Sequence, residues 1–102
     1  MAVAYRVIEA LNAVVVTCTG TVTDEEFLAH RSELDADPRA RPGYLLLVDL
    51  RPAEAIEISA AAFRQDADAD VSSPQRRGAR VAIVAPKTAA FGLARMFEIL
   101  HD

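Results

Sequence analysis

The chain has no tryptophan, one cysteine, two histidines and four glycines, and although 52% of its residues are apolar only 6% are aromatic. Cys18 has no partner for an internal disulfide, and with His30 and His101 it cannot complete a four-ligand zinc site unless carboxylates join it. A reducing compartment is the expectation. Basic residues number eleven against fifteen acidic ones, for a net charge of −4. Affinity for DNA or RNA rests on Lys and Arg neutralising phosphates, so no nucleic-acid partner is expected. Apolar runs such as Tyr44–Val48 fall far short of the roughly 20 residues a membrane helix needs. The opening residues, with Arg6 and Glu9 between short apolar runs, do not read as a secretion signal. A cytoplasmic protein that does not span a membrane is the expected class.

What is present fits one domain covering residues 1–102. A chain of this size buries about 60 to 70% of its unfolded surface, enough for a core without disulfides or metal. Tyr5–Ile8 and Val14–Thr19 are β-branched runs separated by Ala10-Leu11-Asn12-Ala13, which predicts an antiparallel hairpin with Asn12 at its turn. Thr23 and Glu26 match a capping box, with Val22 and Phe27 as the hydrophobic staple around it, so a helix starts there and ends at Asp37-Pro38. Tyr44–Leu50 is a third strand with both faces apolar, as a central parallel strand requires. Residues 51–58 read as a loop. Ser59 caps a second helix running to about Asp70, Ser72-Ser73-Pro74 to Gly78 is a connection, and Arg80–Val84 is a fourth strand. A third helix is expected from Lys87 or Thr88 to about Leu100, with more apolar surface than one sheet-facing stripe buries.

This order predicts an α/β fold. Its expected form is a single-layer, four-stranded, mostly parallel sheet, first strand antiparallel, with strands in chain order 1-2-3-4. Right-handed crossovers then put both connecting helices on one face, and the opposite face needs a second copy, another partner or an apolar ligand to cover it.

Gly20-Thr21-Val22-Thr23 before the first helix, Leu47-Val48-Asp49-Leu50 ending a central strand, Val81-Ala82-Ile83-Val84-Ala85-Pro86 before the last helix, and Ala90-Phe91-Gly92-Leu93-Ala94-Arg95-Met96-Phe97 within it carry a resemblance. The chain resembles the SpoIIAA-like (STAS-type) family over nearly its whole length, and its last helix is similar to that of an uncharacterised bacterial branch. The resemblance implies a non-enzymatic protein-interaction module in bacterial signalling or regulation. The antagonist branch of that family carries a phosphorylatable serine in Asp-Ser-Ser/Thr-Gly at the start of the helix after the Asp-Leu strand. The matching stretch here, Ile56-Glu57-Ile58-Ser59-Ala60-Ala61, lacks both that Asp and that Gly.

Ser59 is therefore a candidate regulatory residue whose plainer role is a helix cap. Asp49 ends a strand at the carboxyl edge of the sheet, where ligands of open α/β folds bind, or else accepts hydrogen bonds from the following loop. Asp66, Asp68 and Asp70 open like a calcium loop, but Val71 replaces its glycine and Arg77 its glutamate, so a solvated acidic helix end is expected and no metal site. Arg76, Arg77, Arg80 and Lys87 read as a solvated basic edge, and Cys18 as a buried inert thiol. Neither His30 nor His101 has a neighbour in sequence to orient it, so no catalytic residue and no cofactor are expected. Phe91, Met96, Phe97 and Ile99 on the last helix are candidates for an interface or an apolar pocket. The leading expectation is a homodimer, or a complex with another regulatory protein. The alternative is a carrier or sensor of a lipid or other apolar small molecule.

Overall fold

Two β-branched runs joined by a left-handed residue open the chain. In the computed structural model, which describes residues 2–84, β1 (Val3–Ile8) and β2 (Ala13–Cys18) pair antiparallel, with Val7 opposite Val14. A 3-10 turn at Glu9–Leu11 connects them, and Asn12 follows at φ 47°, a left-handed conformation that asparagine tolerates better than most residues. Its carboxamide also holds a distant loop: Nδ2 donates to the carbonyls of Arg41 and Pro42, and Oδ1 accepts from the Arg41 amide, each at 3.2 Å.

β4 (Leu45–Asp49) lies parallel to β2, and β6 (Arg80–Val84) lies parallel to β4, giving the order β1-β2-β4-β6. The four main strands thus follow the chain, and only β1 runs antiparallel to its neighbour, as the sequence order implied. The single-layer expectation needs correction. β3 (Gly20–Thr23) and β5 (Ala53–Glu57) form a separate two-stranded parallel sheet, where a helix approach and a loop were expected. Gly20, at φ 62°, turns the chain away from the main sheet directly after β2. Val22 then pairs with Ile56 and is almost wholly buried. Ala53-Glu54-Ala55 has little strand propensity of its own, so the pairing partner decides its conformation.

Helix α1 (Asp24–Asp35) is capped by Thr23, whose Oγ1 accepts from the Glu26 amide at 3.4 Å. Helix α2 (Ala60–Ser72) is capped by Ser59, whose Oγ accepts from the Ala62 amide at 3.1 Å. It extends two residues past Asp70, and a 3-10 turn at Pro74–Arg76 leads towards β6. Phe27 of α1 and Phe63 of α2 meet with ring centroids 5.1 Å apart.

Val14, Val16 and Cys18 of β2 and Leu46 of β4 point to the face that packs with Leu34 of α1, and all are buried. The alternate residues point the other way: Leu45 is 39% and Val84 38% exposed. Among the described residues, both helices serve the first face. The expected third helix, with Phe91, Gly92, Met96, Phe97, Ile99 and His101, lies outside the described residues.

Candidate ligand cavity

Between the helices and the main sheet lies a cavity of about 670 Å³, within the range of small-molecule sites. Its walls are built by the alternation of each strand. Val16 and Cys18 come from β2, Leu46 and Val48 from β4, and Val81 and Ile83 from β6. Phe27, Phe63, Ile56 and Ile58 close the sides. Most of this lining is hydrocarbon, as expected for a face patterned to be dry.

One part of the lining is polar. Phe27, Arg31 and Leu34 recur at helical spacing on α1, which turns Arg31 inward beside His30. Asp66 and Asp70 stand one turn apart on α2. Arg31 Nε donates to Asp66 Oδ1 at 2.9 Å. Arg76 binds the same carboxylate oxygen at 2.7 Å, Asp70 Oδ1 at 2.9 Å, and both oxygens of Asp35 at 2.8 Å. It also donates to the Asp66 carbonyl at 2.7 Å. The Arg76 side chain is only 3% exposed and that of Asp66 6%. Burial opposes the Arg76 charge, yet hydrogen bonding to Asp35 and the nearby carboxylates of Asp66 and Asp70 hold its pKa above the ordinary arginine value. Breaking such a buried network by removing one member typically costs about 3 to 5 kcal/mol.

These observations correct two expectations. Asp66 belongs to no solvated acidic helix end, and Arg76 to no solvated basic edge. Both are buried because α1, α2 and the 3-10 turn converge on them, a meeting of segments up to 41 residues apart. The one-turn spacings Arg31 to Asp35 and Asp66 to Asp70 were the available signal, since each sets two charged side chains on one helix face.

Three buried polar atoms on cavity-lining residues have no hydrogen-bond partner: His30 Nδ1, Arg31 Nη1 and Tyr44 Oη. A buried polar atom left unpaired costs roughly 1 to 3 kcal/mol. Burial, with the Arg31 cation second, pushes the His30 pKa down to about 4, so its ring is neutral at pH 7. Burial likewise raises the Tyr44 phenol. The Arg31 guanidinium is close enough to favour a phenolate there, though no hydrogen bond of good geometry joins the two. Tyr5 packs edge-on against His30, with centroids 5.4 Å apart. Cys18 is buried as expected, and its thiol pKa is raised by burial and by the Asp49 charge, which leaves little reactive thiolate.

The residues singled out from sequence sit elsewhere. Asp49 does not line the cavity; its carboxylate accepts from the backbone amide and the guanidinium of Arg51 at 3.0 Å, and the Arg51 side chain holds its pKa below the usual range. Ser59 is also outside the lining. Its amide and Oγ both donate to Asp24, at 2.6 and 2.7 Å, which ties the start of α2 to the start of α1. A phosphoryl group on that oxygen would remove the donor and set its charge against Asp24. Among the described residues, no group of three or more His, Cys, Asp or Glu is arranged to hold a metal. Phe91, Met96, Phe97 and Ile99 lie outside the described residues.

Comparison with protein-family models finds no match, and neither does comparison with curated proteins.

Proposed function

We propose that this protein binds an apolar small molecule of the lipid type, as its carrier or sensor, in the cavity between the main sheet and helices α1 and α2. The observation that carries this reading is the cavity itself: about 670 Å³ and walled mostly by Val, Leu, Ile and Phe. Binding sites for small molecules have that composition. Native mass spectrometry on protein purified from cells tests it, followed by extraction of the denatured protein into organic solvent. The expected result is a non-covalent adduct that appears in the extract. A chain that flies bare, and whose Tm does not respond to Nile red or to long-chain alcohols, overturns the reading.

A second reading has its own observation. The face of the main sheet turned away from α1 and α2 presents Leu45 and Val84, 39% and 38% exposed, with Leu47 partly buried between them. Covering them by symmetric pairing with a second copy removes apolar surface from water. This supports a non-enzymatic homodimeric interaction module of the SpoIIAA-like kind, acting in signalling or regulation. The two readings are compatible, because cavity and open face lie on opposite sides of one sheet.

A further inference from the structure

We propose that the outer edge of β6 is a self-association site, where β6 of a second copy adds antiparallel about a two-fold axis at Ala82, through the main chain of Val81 and Ile83. β6 ends the order β1-β2-β4-β6, and among the described residues no strand lies beyond it. The Arg80 amide donates to the Tyr44 carbonyl at 3.0 Å, and the Val84 carbonyl accepts from the Leu50 amide at 2.7 Å. Peptide groups alternate in direction along a strand, so Arg80, Ala82 and Val84 bond to β4, while Val81 and Ile83 turn their amides and carbonyls outward. Such a row of unpaired groups is a template for another strand. Exposed edges are usually blunted by a proline, a bulge or a charge along the strand. β6 has no proline, its register with β4 is unbroken, and its charge, Arg80, stands at the first position. Val81 is 47% exposed, and Ala82 and Val84 are exposed beside it.

Charge fixes the orientation and hydrogen bonding fixes the register. A parallel second copy would set Arg80 beside its equivalent, with like charges side by side. In the antiparallel arrangement Arg80 lies opposite Val84, and the two Arg80 residues stand about 13 Å apart at a strand rise of about 3.3 Å, beyond a Debye length of about 8 Å. With the axis at Ala82, Val81 of each copy faces Ile83 of the other, and the outward amides and carbonyls of both are satisfied. An axis at Val81 would instead bring Ile83 opposite Ala79, whose amide already donates to the Arg76 carbonyl. Two four-stranded sheets thereby join into one. A strand of 5 residues buries far less than the roughly 800 Å² per partner of a standard interface, so the contact is weak and forms at submillimolar rather than micromolar concentration. It rests on neither the cavity nor the pairing of open faces, which uses side chains such as Leu45.

Disulfide trapping and amide hydrogen exchange on the full chain test this. Across the axis the two Ala82 residues form a non-hydrogen-bonded pair with Cα atoms about 4.5 Å apart, within disulfide reach, whereas the two Val84 residues stand about 13 Å apart, outside it. Ala82→Cys should therefore cross-link under mild oxidation at least about tenfold faster than Val84→Cys, since both positions are exposed and native Cys18 is buried. In wild type, exchange of the Val81 and Ile83 amides should slow as concentration rises from micromolar to submillimolar, while that of Ala82, bonded to β4, stays constant. Equal cross-linking rates overturn the inference, and so does exchange at Val81 and Ile83 that ignores concentration; slow exchange at every concentration overturns it by assigning the edge to another occupant. Cross-linking of Ala82→Cys that added Leu45→Glu abolishes would trace the contact to the open face and also overturn it. Cross-linking that survives Leu45→Glu supports the edge contact whatever becomes of the face reading. The exchange measurement needs no variant, so it stands even if a cysteine variant does not fold.

Discussion

His30 shows at the scale of one residue how burial becomes a measurable dependence on pH. Its pKa falls from an ordinary 6.5 to about 4 because the folded state buries the ring beside Arg31. Between those values the unfolded chain binds more protons than the native one, so stability is lost as pH drops from about 6.5 towards 4. Below that, both states are protonated and this contribution levels off. The shift corresponds to up to about 3 kcal/mol. Asp24 and Asp49 have lowered pKa values and act in a separate window: their contributions are present above the usual carboxylate value near 3.8 and fade as pH falls below it. Urea unfolding at pH 7 and pH 4.5 should show the loss in wild type, and His30→Phe should flatten most of it. Equal pH dependence in the two proteins would mean that other groups carry it. Arg76 teaches the complementary lesson. Beside Arg77 in an acidic chain it reads as a surface cation, and only contact with Asp35, Asp66 and Asp70 makes it interior.

At the scale of elements, local chemistry sets where helices begin. Thr23 and Ser59 each accept a hydrogen bond from the amide three residues on, and both were recognisable from the residue types around them. The sequence did not reveal that Asp24, the first residue of α1, receives two hydrogen bonds from Ser59. Ser59→Ala should lower stability by about 1 kcal/mol. Combining it with Asp24→Ala should lower stability by less than the sum of the single losses, because the two residues share an interaction. Urea unfolding of the four proteins in this cycle measures the coupling, and strict additivity would show that the hydrogen bond from Ser59 Oγ to Asp24 contributes nothing in solution. The unforeseen pair β3 and β5 has a similar origin, since Ala53–Glu57 becomes a strand only where Val22 and its neighbours offer a partner.

For the whole molecule, the main consequence of the topology is an asymmetric sheet. The two crossovers bring α1 and α2 to one face, and the other shows Leu45 and Val84 to solvent among the described residues. The homodimer reading predicts that the protein sediments as a dimer at micromolar concentration. Leu45→Glu, at an exposed position, should leave the fold intact by circular dichroism and shift the equilibrium towards monomer. A wild type that is monomeric throughout would remove that reading and leave the cavity proposal untouched, because Leu45 does not line the cavity.

The strand order, the hairpin turn at Asn12, both helix caps and the burial of Cys18 were legible in the amino-acid sequence. These depend on side-chain alternation, capping oxygens and turn residues that act within a few positions of one another. Tertiary contacts alone produced the second sheet, the buried Arg31–Asp66–Arg76–Asp35 network, the apolar cavity, and the unpaired buried atoms of His30, Arg31 and Tyr44. Each of these arises where segments about 30 to 40 residues apart meet. A residue's type cannot reveal which distant partner removes it from water, and it is that removal which sets the charge state, the hydrogen bonds left open and the chemistry of the site.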